Sequence, residues 1–171
     1  MALTATTTVP AFALEGVIDE VFEVTSQHTD ELTPRSRETL ELLAHQGRLA
    51  LVFDANSLAG WAVIEPLTQG LSELGMAYVK PEYRRAQVFH QLIKLISARP
   101  ERVVFATYDP ALIRYGERVW GCHPTSLFWV TLLSRGRFIT KRLNANTRAT
   151  VNSHLKDRKP LFAITDRNRN A

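Results

Sequence analysis

The sequence is poor in cysteine and in the signals that send a chain to or across a membrane. A single cysteine, Cys122, excludes an internal disulfide framework and a cysteine-rich zinc site. No apolar run approaches the roughly 18 residues of a membrane-spanning helix, and the first positively charged side chain is Arg35, so the positive start of a secretory signal is missing. Hydrophobic residues make up 45% of the 171 positions and charged residues 22%, an ordinary globular balance. We therefore expect a soluble, cytoplasmic protein.

Familiar catalytic signatures are also missing. The chain has no G-x-x-x-x-G-K-[ST] phosphate loop, no G-x-G-x-x-G fingerprint and no G-x-S-x-G elbow. Cys122 precedes His123, but a base one residue away is usually poorly aimed at a thiol, so we expect a small buried cysteine. No metal is expected, because no paired ligand spacing occurs among the five histidines, which are His28, His45, His90, His123 and His154.

Positive charge is concentrated at the C-terminal end. The formal net charge is +4, but residues 1–130 carry a net −4 and residues 131–171 a net +8. Such a basic block is either a solvated segment or a surface for tRNA or another polyanion. Arg137, Lys141 and Arg142 are the candidate contacts for the second interpretation.

Apolar spacing and turn residues predict alternating helices and strands. The predicted strands are Arg48–Phe53, Leu58–Glu65, Leu71–Val79, Arg102–Thr107, Ser126–Leu133 and Leu161–Thr165. One predicted helix contains Leu14–Phe22, and a second begins with Thr33 as N-cap and Pro34 as first helical residue. Two more run over about Arg84–Ala98 and Asp109–Trp120, and a short one is predicted at Thr147–Lys156. The central strand, helix and strand should form a parallel pair, and the flanking strands should be antiparallel. The fold class is therefore α/β (an α+β mixed sheet), with helices on both faces.

The chain shows no internal repeat and no interdomain linker, so one domain is expected. Residues 1–13 are predicted to be a flexible N-terminus, with a short edge strand as the alternative. The domain proper is predicted to span residues 14–143. Residues 144–171 form a basic segment that we expect to complete the same domain.

The turn after the third predicted strand carries the most information. It reads Val79-Lys80-Pro81-Glu82-Tyr83-Arg84 and leads directly into a helix. This resembles the core of the GNAT N-acetyltransferase superfamily, which reads V-x-P-x-Y-R-G-x-G-x-G-x-x-L-L. The resemblance to that family extends over about half of the chain. The resemblance implies that acetyl-CoA is the acyl donor and that backbone N–H groups at the helix start bind its diphosphate. The implied diphosphate loop is Arg84, Arg85, Ala86, Gln87, Val88 and Phe89, and the implied pantetheine strand is Ala77, Tyr78 and Val79.

A second stretch, from Tyr108 to Trp120, is similar to the family's N-x-x-A-x-x-x-Y-E-x-x-G-F. By this resemblance Tyr115 protonates the departing CoA thiolate, and Tyr108 stands in place of an asparagine near CoA. A phenol, with an ordinary pKa of about 10, is a suitable proton source at neutral pH. The alternative for Tyr115 is an amphipathic core tyrosine.

The loop departs from the family pattern and is a degenerate version of it. Arg85 and Gln87 replace glycines, and Phe89 occupies the last position for a small residue. Val119 stands where the second stretch has a glycine. A Cβ at such positions restricts the backbone angles and the approach of a phosphate.

The general base is less well marked. An acceptor amine must lose a proton before it attacks, so a carboxylate near the thioester is useful. Glu73 is the first choice, because strand alternation places it on the same face as Ala77. Glu65 is the second choice and His123 a remote third. For either glutamate the alternative is an exposed position on a strand.

The leading hypothesis is therefore an acyltransferase that moves acetyl from acetyl-CoA to an amine by direct attack. The acceptor is open: a small amine, an antibiotic, a protein N-terminus or lysine, or an aminoacyl-tRNA. One alternative is a GNAT-like binding or regulatory module that has lost catalysis. Another is a nucleic-acid-associated protein that uses the basic C-terminal part. A homodimer is a further open arrangement.

Overall fold

The computed structural model describes residues 2–9, 11–28, 32–84, 87–142 and 159–166. Its strands are β1 (Leu3–Thr6), β2 (Leu49–Asp54), β3 (Ser57–Thr68), β4 (Leu71–Val79), β5 (Arg102–Thr107), β6 (Cys122–Thr125) and β7 (Leu161–Thr165). Its helices are α1 (Ala11–Gln27), α2 (Arg37–His45), α3 (Val88–Ser97), α4 (Pro110–Val119), α5 (Leu127–Leu133) and α6 (Arg137–Arg142), with a single 3₁₀ turn at Pro81–Tyr83. Within these ranges no helix has both the length and the apolar character that crossing a bilayer requires.

The strands form a mixed sheet in the order β1-β2-β3-β4-β5-β7-β6. The pairs β1–β2, β2–β3, β5–β7 and β6–β7 are antiparallel, and β4–β5 is parallel. The register of the parallel pair covers three positions and ends where Glu73 lies opposite Val104. This sheet, flanked by helices, confirms the predicted fold class and the predicted parallel pair.

The chain forms two compact units, and the first consists of residues 1–65 and 75–96. Its core contains the buried stripe of α1, including Val17, Ile18 and Val21, together with residues of α2, β2 and β3 such as Trp61. The i, i+3, i+4, i+7 spacing that predicted α1 is therefore the spacing of its buried side chains. The edge strand β1 pairs with β2, beginning at Leu3.

Helix α2 begins three residues later than the sequence suggests. The N-cap is Ser36, whose Oγ accepts a hydrogen bond from the Thr39 backbone N–H at 3.3 Å. The prediction of Thr33 as N-cap and Pro34 as first helical residue is therefore wrong. Threonine and serine are both favourable N-cap residues, so Thr33 and Ser36 both fit the local pattern. The structure uses only Ser36.

The second unit consists of residues 66–74 and 97–171. Among its described residues, one core cluster contains Leu67, Leu71, Val104, Val130, Phe138 and Ile164. Helix α4 begins as predicted, because Asp109 Oδ1 accepts a hydrogen bond from the Ala111 N–H at 2.8 Å and Pro110 takes the first helical position.

The predicted strand Ser126–Leu133 is wrong: Leu127–Leu133 is helix α5, and the strand of this region is β6. A short apolar run has no period that separates helix from strand. Ser126 favours a helix locally, because its Oγ accepts a hydrogen bond from the Trp129 N–H at 3.4 Å and Ser126 is therefore the N-cap of α5. Only Val130 of α5 is buried. The predicted helix at 147–156 lies outside the described residues.

Candidate active site

Strand β4, the 3₁₀ turn and α3 form the predicted strand–turn–helix. Gly60 of β3 lets these parts approach closely, because a Cβ there would lie 2.7 Å from the Tyr78 carbonyl oxygen and 2.8 Å from Val88 Cγ1. The Tyr78 ring packs against Trp61, with ring centroids 4.8 Å apart, and against His28 at 5.6 Å. The ring of Tyr78 therefore takes part in the packing of the first unit.

Gln87, the residue before α3, has a backbone conformation that glycine adopts readily. Gln87 has φ +58°, in the left-handed region that glycine adopts readily. The Gln87 carbonyl oxygen accepts a hydrogen bond from the Gln91 N–H at 3.1 Å, so the hydrogen bonding of α3 begins at Gln87. Arg84 is exposed, Val88 is buried and Phe89 is half-buried. Arg85 and Ala86 lie outside the described residues.

In the second unit, Tyr115 lies on α4 and Tyr108 follows β5, and both are half-buried. Desolvation raises the pKa of both phenols, and the charge of Arg142 partly opposes this rise in the pKa of Tyr108. Each phenol is therefore protonated at neutral pH and able to donate a proton or a hydrogen bond.

The residue after Tyr115 fixes α4 on the sheet. A Cβ on Gly116 would lie 2.5 Å from Cys122 Sγ and 3.4 Å from Phe105 Cζ. Helix α4 therefore packs against β5 and β6 at a distance that only glycine permits. Phe105 in turn stacks on Trp120 at the end of α4, with ring centroids 5.4 Å apart.

The two candidate carboxylates are both buried, not exposed strand positions. Glu65 is 6% exposed and Glu73 is 3% exposed. Glu65 Oε1 accepts hydrogen bonds from Arg35, 2.8 Å from Nε and 2.6 Å from Nη2. Gly75 leaves room for this carboxylate, because a Cβ there would lie 2.7 Å from Glu65 Oε1.

Glu73 pairs with two cations from α6. Arg142 Nη2 donates to Glu73 Oε1 in a short ion pair, and Lys141 Nζ lies 3.7 Å from Glu73 Oε2. A carboxylate whose two oxygens each face a cation has fewer lone pairs left for a substrate proton. The role of Glu73 as general base stays a prediction.

The other residues named in advance lie elsewhere. His123 is exposed and faces Asp166, with Nδ1 and Oδ1 3.8 Å apart. Cys122 is buried, and burial is the main reason that its thiol pKa rises to about 11, which leaves it a poor nucleophile. Arg137 Nη1 donates to the Leu67 carbonyl oxygen at 3.1 Å. All three residues suggested for tRNA contact therefore interact within the second unit, and tRNA binding stays a prediction.

Sequence reasoning missed the cluster of Glu73, Lys141, Arg142 and Tyr108. The basic residues were visible only as part of a charged block, and nothing local connects them with a glutamate 69 positions earlier. Their pairing depends on where α6 lies in the second unit.

Comparison with known proteins supports the fold. No family model matches the chain, and no curated protein matches its sequence. A protein from Mycobacterium tuberculosis, solved in complex with CoA, is similar over 95% of this chain and 98% of its own, with TM-score 0.64 and 11% identity. A GNAT-family acetyltransferase from Bacillus cereus is similar over 99% of this chain and 100% of its own, with TM-score 0.62 and 13% identity.

The N-acetylglutamate synthase from Neisseria gonorrhoeae, solved with coenzyme A and N-acetyl-glutamate, is similar over 99% of this chain, with TM-score 0.60 and 15% identity. The chain spans only 36% of that synthase. These likenesses show that the chain has the fold of the GNAT acetyltransferases.

Proposed function

We propose that the protein is an N-acetyltransferase that moves the acetyl group of acetyl-CoA to an amine. The observation that carries the proposal is the strand–turn–helix of β4 and α3 in a GNAT fold, with Gln87 in the backbone conformation of a glycine. A positive φ at this position is what a glycine would supply, which supports the proposal. Two of the structural neighbours described above support this choice of cofactor, since they were solved with CoA.

The backbone of β4 supplies the other part of the cofactor site. The parallel register with β5 ends at Glu73, whereas β4 continues to Val79. Peptide groups of Ala77, Tyr78 and Val79 are therefore candidates to hydrogen-bond the pantetheine amides. The ten-residue helix α3 begins nine positions after Val79, and its N–H groups and positive end suit a diphosphate.

Direct attack accounts for the chemistry without a covalent enzyme intermediate. The neutral amine nitrogen forms a bond to the thioester carbonyl carbon, the nitrogen then loses a proton to solvent, and the C–S bond breaks as the carbonyl forms again. The thiolate that leaves takes a proton from Tyr115, the proposed donor, and Tyr115 regains a proton from solvent. Burial raises the pKa of Tyr115, so the phenol carries its proton across the neutral range.

Calorimetric titration with acetyl-CoA tests the cofactor, and the Tyr115→Phe variant tests the acid. We expect micromolar binding by both proteins, and a fall in acetylation rate of about 100-fold in the variant, the usual scale of general acid catalysis. Release of free CoA can be followed with a thiol reagent, since Cys122 is buried.

Two results would separate the parts of the proposal. Absence of binding at millimolar acetyl-CoA would remove the enzyme function and favour a binding module. Tight binding with an unchanged rate in Tyr115→Phe would keep the acetyltransferase and remove Tyr115 as its acid.

A further inference from the structure

The second unit contains an open groove of about 720 Å³ over one face of its strands. Val104 of β5 and His123 of β6 both lie opposite Ile164 of β7. Side chains alternate along a strand, so Arg102, two positions before Val104, is on the same face of the sheet. Arg102, His123 and Ile164 all line the groove, so a cation and an imidazole share its floor with an apolar side chain.

Helix α5 supplies the other wall of the groove and makes it apolar. Trp129 and Leu133 line it and are four positions apart, so they lie on one side of the helix. Trp129 is 54% exposed, although it is one of the largest apolar side chains of the unit. Its ring therefore offers a contact surface to a ligand in the groove.

Arg102 is a half-buried cation whose side chain makes no hydrogen bond or ion pair with the residues that the structure describes. Arg35, Arg99 and Arg142 are half-buried too, and each of them pairs with a glutamate. A guanidinium carries five N–H donors, and leaving them partly desolvated without acceptors costs free energy. The donors of Arg102 therefore favour an anion in the groove.

The number of available cations indicates the charge of that anion. His123 also lines the groove, but its Nδ1 faces Asp166 Oδ1 at 3.8 Å, and the Asp166 side chain is 87% exposed to water. One guanidinium matches a single negative charge, and a carboxylate accepts two parallel hydrogen bonds from it. A polyphosphate or a nucleic acid would need several cations.

We propose that this groove binds a small aromatic carboxylate, with the carboxylate on Arg102 and the ring against Trp129. Its volume is in the range of sites for small organic ligands, and aromatic rings stack favourably on tryptophan. The site is additional to the proposed acetyltransferase function. Arg102 is the first residue of β5 and Tyr108 follows the last, so roughly 20 Å of strand separates the two.

A matched pair of ligands tests the groove on the full-length protein. Naphthoate and its uncharged analogue naphthamide are titrated into protein with isotope-labelled tryptophan, and the indole N–H signals of the three tryptophans are followed by NMR. The Trp129→Phe variant identifies the Trp129 signal. We expect naphthoate to move this signal more than that of buried Trp61. Its Kd should be about tenfold or more below that of naphthamide, the difference typical of a charged hydrogen bond.

Variants separate the two parts of the site, with binding followed through the proton signals of the ligand and folding checked by circular dichroism. In Arg102→Gln the preference for the acid should fall to within about threefold, and Arg102→Lys should restore part of it. The matched control is Arg114→Gln, which removes an exposed charge of α4 and should leave the preference unchanged. Trp129→Ala should weaken both ligands by about tenfold. Leu132→Ala, which removes an exposed apolar side chain of the same helix, should weaken neither.

The comparison of the two ligands on the wild type can overturn the inference without any variant. Equal affinity for acid and amide would remove the anion site, and a Trp129 signal that does not respond to millimolar naphthoate would remove the groove as a binding site. A second copy of the chain covering the groove would give that last result. A preference that survives in Arg102→Gln would equally overturn the assignment. None of these measurements uses acetyl-CoA, so their result is independent of the proposed function.

Discussion

The two units each bury one glutamate opposite an arginine, but the surroundings of the two carboxylates differ. In the first unit, Arg35 donates to Glu65 and also, through Nη1, to the carbonyl oxygens of Thr33 at 3.1 Å and Pro34 at 3.3 Å. One arginine thus pairs with one glutamate, and Nη1 of the arginine also donates to the backbone.

In the second unit, Glu73 faces both Arg142 and Lys141, one on each carboxylate oxygen. The difference indicates how strongly each carboxylate depends on one partner. Glu65 pairs with one arginine, whereas Glu73 pairs with two cations and keeps one of them when the other is removed.

The sharpest test of this comparison is to remove Arg35 from the balanced pair. Arg35→Ala leaves Glu65 buried and without its partner, so we expect the free energy of unfolding to fall by about 3 kcal/mol. Urea denaturation measures the loss. The control is Arg37→Ala, whose pair with Asp19 is nearly half exposed and should contribute less than about 1 kcal/mol. Equal losses in the two variants would contradict a structural role for the Arg35–Glu65 pair.

Removing the charge of Glu73 should cost less. Glu73→Gln leaves two cations without their carboxylate, but the Arg142 side chain is partly exposed and keeps its hydrogen bond to the Phe138 carbonyl oxygen. We expect a loss of about 2 kcal/mol, smaller than that of Arg35→Ala, in the same denaturation assay. A loss as large as that of Arg35→Ala would mean that the cluster is as closed as the Arg35–Glu65 pair, and the distinction between the two units would fail.

Local sequence patterns predicted most of the elements that carry the candidate site. The bounds predicted for Leu71–Val79, Arg102–Thr107 and Leu161–Thr165 are those of β4, β5 and β7. These strands are runs of residues that favour β-structure and are flanked by turn residues, so the local sequence determines where they begin and end. The prediction of a strand at Ser126–Leu133 was wrong because a run of seven residues, six of them apolar, does not reveal that only Val130 is buried.

Charge pairing was the part that sequence could not supply. Glu73 was expected on an exposed strand face or at the thioester, and Arg142 on a polyanion-binding surface. Their contact joins residues 69 positions apart and is created by the placement of α6. By contrast, the requirement for a left-handed residue in the loop could be inferred from the glycine that Gln87 replaces, and the structure has that conformation.

The packing of α4 distinguishes the second unit in another way. Gly116→Ala would force its Cβ against Cys122 Sγ, a short side chain with little freedom to move. We expect a loss of stability of about 1–2 kcal/mol, the usual cost of overpacking. Cys122→Ala in the same chain should recover most of it, because the sulfur is then absent. Failure of this rescue would show that the crowding arises at Phe105.

Alkaline pH should produce a smaller change through the same cysteine. The pKa of Cys122 rises from 9.0 to about 11 in the folded protein, mainly because the thiol is buried. Below pH 9 both states keep the proton and stability is unaffected. Between pH 9 and 11 the unfolded chain loses it first, so stability falls as the pH rises. Thermal melts should show this slope in the wild type and a shallower one in Cys122→Ala; parallel slopes would contradict the burial of the thiol.

The smallest expected effect concerns Gln87, the residue that gives the first unit its glycine-like loop. Gln87 and Arg135 both have positive φ, +58° and +52°, so glycine at either position should relieve strain and stabilise the protein by about 0.5–1 kcal/mol. Only Gln87→Gly should also tighten acetyl-CoA binding, because a diphosphate can approach bare backbone more closely at the start of α3. Calorimetric titration of both variants measures this difference. Tighter binding in Arg135→Gly as well would point to a general gain in stability, whereas weaker binding in Gln87→Gly would mean that the glutamine side chain itself contacts the cofactor.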